Sequence, residues 1–147
     1  LSRRQRQMCI RDSFSTIARE EVDVLTSLLE DLLNSALRSF QSDDPQMARQ
    51  VEPLEETMDL LTEEIRSRHI RRLQSGQCTI QLGFILNDLL NNAERVGDHC
   101  SNIAVSVIEI DRDGFDTHGY LDNLKRDGDP HFAAMVEQYR GKYMLPV

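Results

Sequence analysis

A chain of 147 residues can bury one real core, and 39% apolar residues, 29% charged residues and no tryptophan suit a helical protein. A formal charge of −8 argues against nucleic acid as a partner, and no apolar run reaches the ~18 residues of a membrane span. Cys9, Cys78 and Cys100 are odd in number, lack metal-ligand spacing and follow no secretory signal, which favours a reducing compartment and so the cytoplasm.

Residues 1–13, LSRRQRQMCIRDS, stand apart, because Arg3, Arg4, Arg6 and Arg11 face a single Asp12 while the remainder is acidic. They resemble translated adapter read-through at the end of an environmental reading frame. We set them aside as a non-native or disordered leader; the other reading is a basic arm for an anionic partner. The expected organisation is then a bundle over 14–113 and a short helical tail over 114–147.

The first helix is expected over about 14–42, capped by Ser13 or Ser15. Ala18, Val22, Leu25, Leu29, Leu32, Ala36 and Phe40 form its four-three seam, flanked by Leu28, Leu33 and Leu37. Pro45 ends it at Asp44 and opens a second helix, whose seam is Met47, Val51, Leu54, Met58, Leu61 and Ile65. Pro53 lies inside that pattern and is expected to kink the helix. Its far end is basic, with Arg66, Arg68, Arg71 and Arg72, until Ser75-Gly76 stops it.

The third helix, roughly 77–112, carries the seam Leu82, Leu86, Leu89, Ala93, Val96, Cys100, Ile103, Val107 and Ile110. Short connections make successive helices antiparallel neighbours, so the fold class is all-α, an antiparallel three-helix bundle. DRDG then breaks the pattern, and short helices near 117–127 and 130–141 follow. Five of the eight aromatics, Phe115, Tyr120, Phe132, Tyr139 and Tyr143, lie in this tail, which folds back on the bundle or docks on a partner.

Beside the third seam run Asn87, Asn91, Glu94, Asp98 and Asn102, and beside the second run Glu52, Glu55, Asp59 and Thr62. Each row holds one Glu-x-x-x-Asp, Glu55 to Asp59 and Glu94 to Asp98, with the two carboxylates a turn apart on one face. Like charges at that spacing cost a few tenths of a kcal/mol, roughly, and the helices do not need them. If the rows face each other, four carboxylates converge, and a hard cation with oxygen ligands would relieve the repulsion. The alternatives are a solvated acidic face, or pairing with Arg95 and the arginines of helix two.

His69, His99, His118 and His131 are scattered, and no Glu-x-x-His pair of the di-iron bundle type occurs. His99 is near enough to the acidic row to add a ligand. Gly97, mid-helix, costs about 1 kcal/mol against Ala and is expected where another helix comes close or an ion needs room. No phosphate loop, nucleophile elbow or Cys-His arrangement is present, so the chain does not read as an enzyme.

The segment NNAERVGDHCSNIA resembles the signature of the PhoU family, carried here by Glu94, Arg95, Val96, Gly97, Asp98 and His99, then Asn102, Ile103 and Ala104. The resemblance implies a three-helix repeat with an acidic motif on each of two helices, at Glu55, Asp59, Glu94 and Asp98. It implies multinuclear metal clusters, iron first, with manganese, magnesium or zinc as others. Asn91, Asn102 and His99 are the further candidate ligands. Two-repeat phosphate-uptake regulators are longer. One repeat followed by this tail resembles the C-terminal cytoplasmic region of bacterial Na⁺/phosphate cotransporters, in a frame truncated upstream. The implied partners are the transporter membrane domain, a second copy, or a phosphate-signalling protein. A metal-free adaptor whose acidic face binds a basic partner helix is the other reading, and a carboxylate-bridged di-metal oxidase is disfavoured by the missing histidine pairs.

Overall fold

The computed structural model describes residues 13–110, 117–126 and 129–147, and all its regular elements there are helical. They are α1 (Thr16–Ser42), α2 (Pro45–Ala48), α3 (Val51–Gln74), α4 (Ile80–Ile110), α5 (Thr117–Arg126) and α6 (Pro130–Lys142). The leader, the DRDG break and Phe115 lie outside the described residues, apart from Ser13 of the leader. The expected antiparallel bundle is present: α1, α3 and α4 pack pairwise. Arg72 near the end of α3 meets Glu21 near the start of α1, and Ser101 late in α4 meets Glu52 early in α3.

Local chemistry sets the boundaries. Ser15 caps α1, its Oγ accepting from the Ala18 amide at 3.2 Å. Asp43 turns the chain with φ 48°, and Asp44 caps α2 through the Gln46 and Met47 amides. The second predicted helix differs from expectation. It is broken at Arg49–Gln50, so Pro53 falls in the first turn of α3 and produces no kink. Its missing N–H is one the first turn leaves unbonded in any case, so the break costs less than an interior proline. Gly76, with φ +69°, ends the α3 hairpin.

The predicted seams are right in part. In α1 the buried positions are Ala18, Glu21, Leu25, Leu28, Leu32, Ala36 and Ser39, so Phe40 is exposed and Val22 and Leu29 are half-buried. In α3, Ala48 of the preceding turn replaces Met47. In α4, Leu90, Gly97, Ala104 and Ile108 point inward, while Leu89 and Ile110 are exposed and Val96 and Ile103 half-buried. The cause is geometric: a strict four-three pattern assumes 3.5 residues per turn, whereas a straight helix drifts ~20° per heptad. A helix touching two neighbours also buries a wider arc than one seam.

The tail lies on the bundle. α6 packs against α3, and Tyr143 is buried in the main core with Tyr139 and Leu145 against it. Asp31 of α1 accepts hydrogen bonds from Lys142 Nζ at 2.7 Å and from the Tyr143 hydroxyl. These two donors, Lys142 first, hold the Asp31 carboxyl below its usual range. A carboxylate depressed in the folded state adds stability above its unfolded value, about 3.9, and loses it as pH falls through the folded one. Below about pH 4 the wild type should therefore lose more stability than Asp31→Asn does, relative to neutral pH, in denaturant titrations. Equal losses would show that Asp31 does not hold the tail.

Candidate functional site

Glu55 and Asp59 stand one turn apart on α3, and Glu94 and Asp98 one turn apart on the antiparallel α4. The fold brings these rows to one face. One cavity there is lined by Asp59, Glu63, Arg66, Ser67, Ile70, Glu94 and Asp98. Another is lined by Glu52, Glu55, Asp98, Ser101, Asn102, Leu121 and Asp122. Asp98 belongs to both, so all four predicted carboxylates border two adjoining cavities. The second also receives α5, through Leu121 and Asp122.

Depth divides the carboxylates. Glu52 and Glu55 are buried, Glu94 is half-buried, and Asp59 and Asp98 are exposed. Glu52 accepts a hydrogen bond from the Ser101 hydroxyl at 2.7 Å. Glu94 accepts from the Thr62 hydroxyl at 2.8 Å, and Arg66 donates to its two oxygens at 3.2 and 3.3 Å. The same guanidinium donates to Asn91 Oδ1 at 3.1 Å. Sequence reasoning offered the arginines of helix two as one counter-charge, and Arg66 is the one that meets this row. Its signal was its spacing: Asp59, Thr62 and Arg66 follow at steps of three and four, on the face that already held Glu55.

The other candidate ligands divide. Asn102 borders the second cavity with Asp98, whereas the exposed His99 lines neither. Asn87 belongs to a third cavity further along the α3/α4 groove, with Ile70, Leu73, Ile80 and Phe84. Of the remaining histidines, His131 is exposed on the tail and the His118 side chain lies outside the described residues. His69 is buried at the hairpin end; burial and then Arg72 hold its pKa down, against Glu21.

The donors of the groove are carboxylates, carboxamides and hydroxyls, an oxygen-only set of the kind hard cations prefer. As these side chains stand they do not make a coordination sphere. Among the described residues no three His, Cys, Asp or Glu are grouped so as to hold an ion. Beside Glu94 the positive charge is the guanidinium of Arg66. The pair is about one third exposed on each side, so in isolation it contributes on the order of 0–1 kcal/mol.

Sequence reasoning missed a second polar cluster. Glu21 is fully buried, held by two hydrogen bonds from Arg72 at 3.0 and 2.7 Å with Arg68 at 3.6 Å. A carboxylate at a seam position has no sequence signal of its own, and only the later arginines hint at it.

Three long helices with an acidic motif on each of two neighbours define a helical-bundle domain. The chain belongs to the PhoU domain family, whose model matches residues 22–107, more than half of its length. A similar protein is the phosphate-specific transport system accessory protein PhoU homolog 1 of Thermotoga maritima, 26% identical over 93 residues. That match takes in 63% of this chain and 40% of the relative, so the chain corresponds to well under two thirds of it. No solved structure matches. No described helix is long and apolar enough to cross a membrane.

Gly97, inside the family's motif, is buried between α1 and α3. A Cβ placed there would lie 3.6 Å from Leu32, 3.7 Å from Glu55 and 3.9 Å from Met58, which is ordinary contact. Space therefore does not demand glycine, and the helix penalty of about 1 kcal/mol is recoverable. Gly97→Ala should raise the melting temperature by about 3 °C. Gly97→Leu should lower stability by roughly 1–3 kcal/mol through overpacking. A destabilised alanine variant would mean that the backbone at this point has to move.

Proposed function

We propose that this chain is the regulatory PhoU-like domain of a sodium/phosphate cotransporter, working at the cytoplasmic face in phosphate transport or phosphate homeostasis signalling, and not as a catalyst. The family and the phosphate-transport accessory role in the relative's name support the phosphate part. The cotransporter context rests on the single repeat followed by an aromatic tail, as in the sequence resemblance. The functional face in this reading is the α3/α4 groove, carried by one observation: Asp98 joins the cavity of Asp59 and Glu94 to that of Glu55.

The ligand of that face is a metal ion, iron before manganese, magnesium or zinc, with Glu55, Asp59, Glu94 and Asp98 as the primary groups and Asn91, Asn102 and His99 as additions. The oxygen donor set supports it, and the position of Arg66 limits it, because a cation at Glu94 competes with the guanidinium. The same position favours a second reading: a groove that binds guanidinium internally suits a basic partner helix.

Metal analysis by mass spectrometry, on protein purified without chelator or affinity nickel, separates the two. Stoichiometric metal is expected in the wild type and in Arg66→Ala, tighter in the latter, and absent from the Glu94→Ala/Asp98→Ala double variant. If neither the wild type nor Arg66→Ala takes up Fe²⁺, Mn²⁺, Zn²⁺ or Mg²⁺, the metal reading fails and the basic-partner reading stands.

A further inference from the structure

The cavity at the α3/α4 hairpin end has no part in the acidic groove's chemistry. It holds about 360 Å³, within the roughly 300–1,000 Å³ of small-molecule sites. All its lining residues belong to α3 and α4. Its walls are Ile70, Leu73, Ile80, Phe84, Leu86 and Leu90. Three of these stay open to solvent, Ile80 at 73%, Phe84 at 69% and Ile70 at 49%. Exposed apolar side chains gathered on one concave surface, rather than scattered singly, mark a binding site.

Three polar side chains share the cavity: Arg66, His69 and Asn87. His69 is 5% exposed and its Nδ1 has no hydrogen-bond partner, a condition that native interiors seldom leave without a purpose. Its Nε2 lies 3.8 Å from Cys78 Sγ. Burial first, and then Arg72, hold the His69 pKa down against Glu21, so the ring is neutral at pH 7 and has one N–H. In the tautomer that lets Nε2 accept from the thiol, Nδ1–H is a donor in need of an acceptor. Arg66 and the Asn87 amide add further N–H donors. From Ile65 to Asn87 the chain holds four arginines and no Asp or Glu, against a formal charge of −8 for the whole. The ligand such a lining suits is apolar along most of its length and negative at one end.

The groups are also ordered along the groove. Arg66 and Asn87 sit at the end nearer the acidic row, and Leu73, Ile80 and Phe84 at the hairpin end, with His69 between. From Arg66 to Leu73 the helix rises about 10 Å, the length of a short acyl chain laid beside it. Arg66 also borders the neighbouring cavity of Asp59, Glu94 and Asp98, where it donates to both Glu94 oxygens. An anion in the hairpin-end cavity competes with Glu94 for that guanidinium. It would thereby loosen the carboxylate that a cation in the acidic groove needs, and coupling of this kind acts equally in both directions.

We propose that the hairpin-end cavity binds an amphiphilic anion, a single apolar chain with a negative head, held through Arg66 and His69. The site goes beyond the proposed function and does not rest on metal binding. Its ligand comes from one of two sources, a free acyl carboxylate or an anionic membrane lipid. The test is isothermal titration calorimetry of the full, metal-free chain with octanoate, and with octanol and acetate, which lack the charge and the chain respectively. Octanoate should bind at least about tenfold more tightly than either. Arg66→Gln should weaken octanoate about tenfold and leave octanol unchanged. Phe84→Asp changes an exposed position, so its melt by circular dichroism should match the wild type, and it should abolish octanoate binding. Phe40→Asp, exposed at the opposite end of the bundle, should change nothing. Co-sedimentation with phosphatidylglycerol vesicles assigns the source: vesicle binding that Arg66→Gln and Phe84→Asp remove identifies a lipid, and octanoate binding without it a free carboxylate. Binding of neither overturns the proposal. So does equal affinity for octanol and octanoate, or binding that survives in both site variants.

Discussion

A carboxylate with no access to solvent sets the register of the bundle. Glu21 faces inward from the second turn of α1, and burial of an unpaired charge there would be prohibitive. Arg72, from the far end of α3, answers it with two hydrogen bonds, and Arg68, one turn earlier, stands beside it. Apolar residues in this core could slide by a turn at modest cost; this ion pair could not. Taking away either partner of such a buried pair costs about 3–5 kcal/mol, although an apolar replacement of both can be neutral. Its contribution is therefore to the choice of one alignment of α1 on α3. That alignment in turn fixes where α3 presents Glu55 and Asp59 to α4.

With the alignment set, the acidic face follows from antiparallel geometry alone. Acidic positions a turn apart on each of two neighbouring helices come together, and Thr62 and Arg66 arrive with them because they share the helix face. The groove is thus already neutralised in part by its own chain. A metal or cationic side chain binding there, as proposed above, would have to compete with Arg66 for Glu94. That competition distinguishes this face from an open acidic surface, where a cation would meet only water.

Much of this was legible from residue order. The three long helices, their sequence of connections and both acidic motifs follow from apolar periodicity, because each long helix carries enough turns for the pattern to be unambiguous. The break at Arg49–Gln50 was not legible: Met47, Val51 and Leu54 keep a helical spacing across it, and only the three-dimensional path shows that Pro53 begins a helix. Glu21 was hidden for a related reason, since an acidic residue at an inward position contradicts the apolar pattern that identifies the position. The seam errors are more informative. Leu89, Val96, Ile103 and Ile110 keep a true seven-residue repeat, but a straight helix carries that repeat progressively away from the core. They belong to a second apolar surface that periodicity merges with the first.

Arg68 ties together parts of the chain that are distant in sequence. Its guanidinium lies beside Glu21 in the first helix, pairs with Glu64 on its own helix, and donates to the carbonyl of Pro146. The last residues described therefore rest on the same cation that helps neutralise the deepest charge in the bundle. From Pro146 to the start of α1 the path is therefore one hydrogen bond and one 3.6 Å ion pair, both made by Arg68, and it does not run through the apolar core. The C-terminal segment and the first helix thus share one cation, at a place that stands apart from the acidic groove.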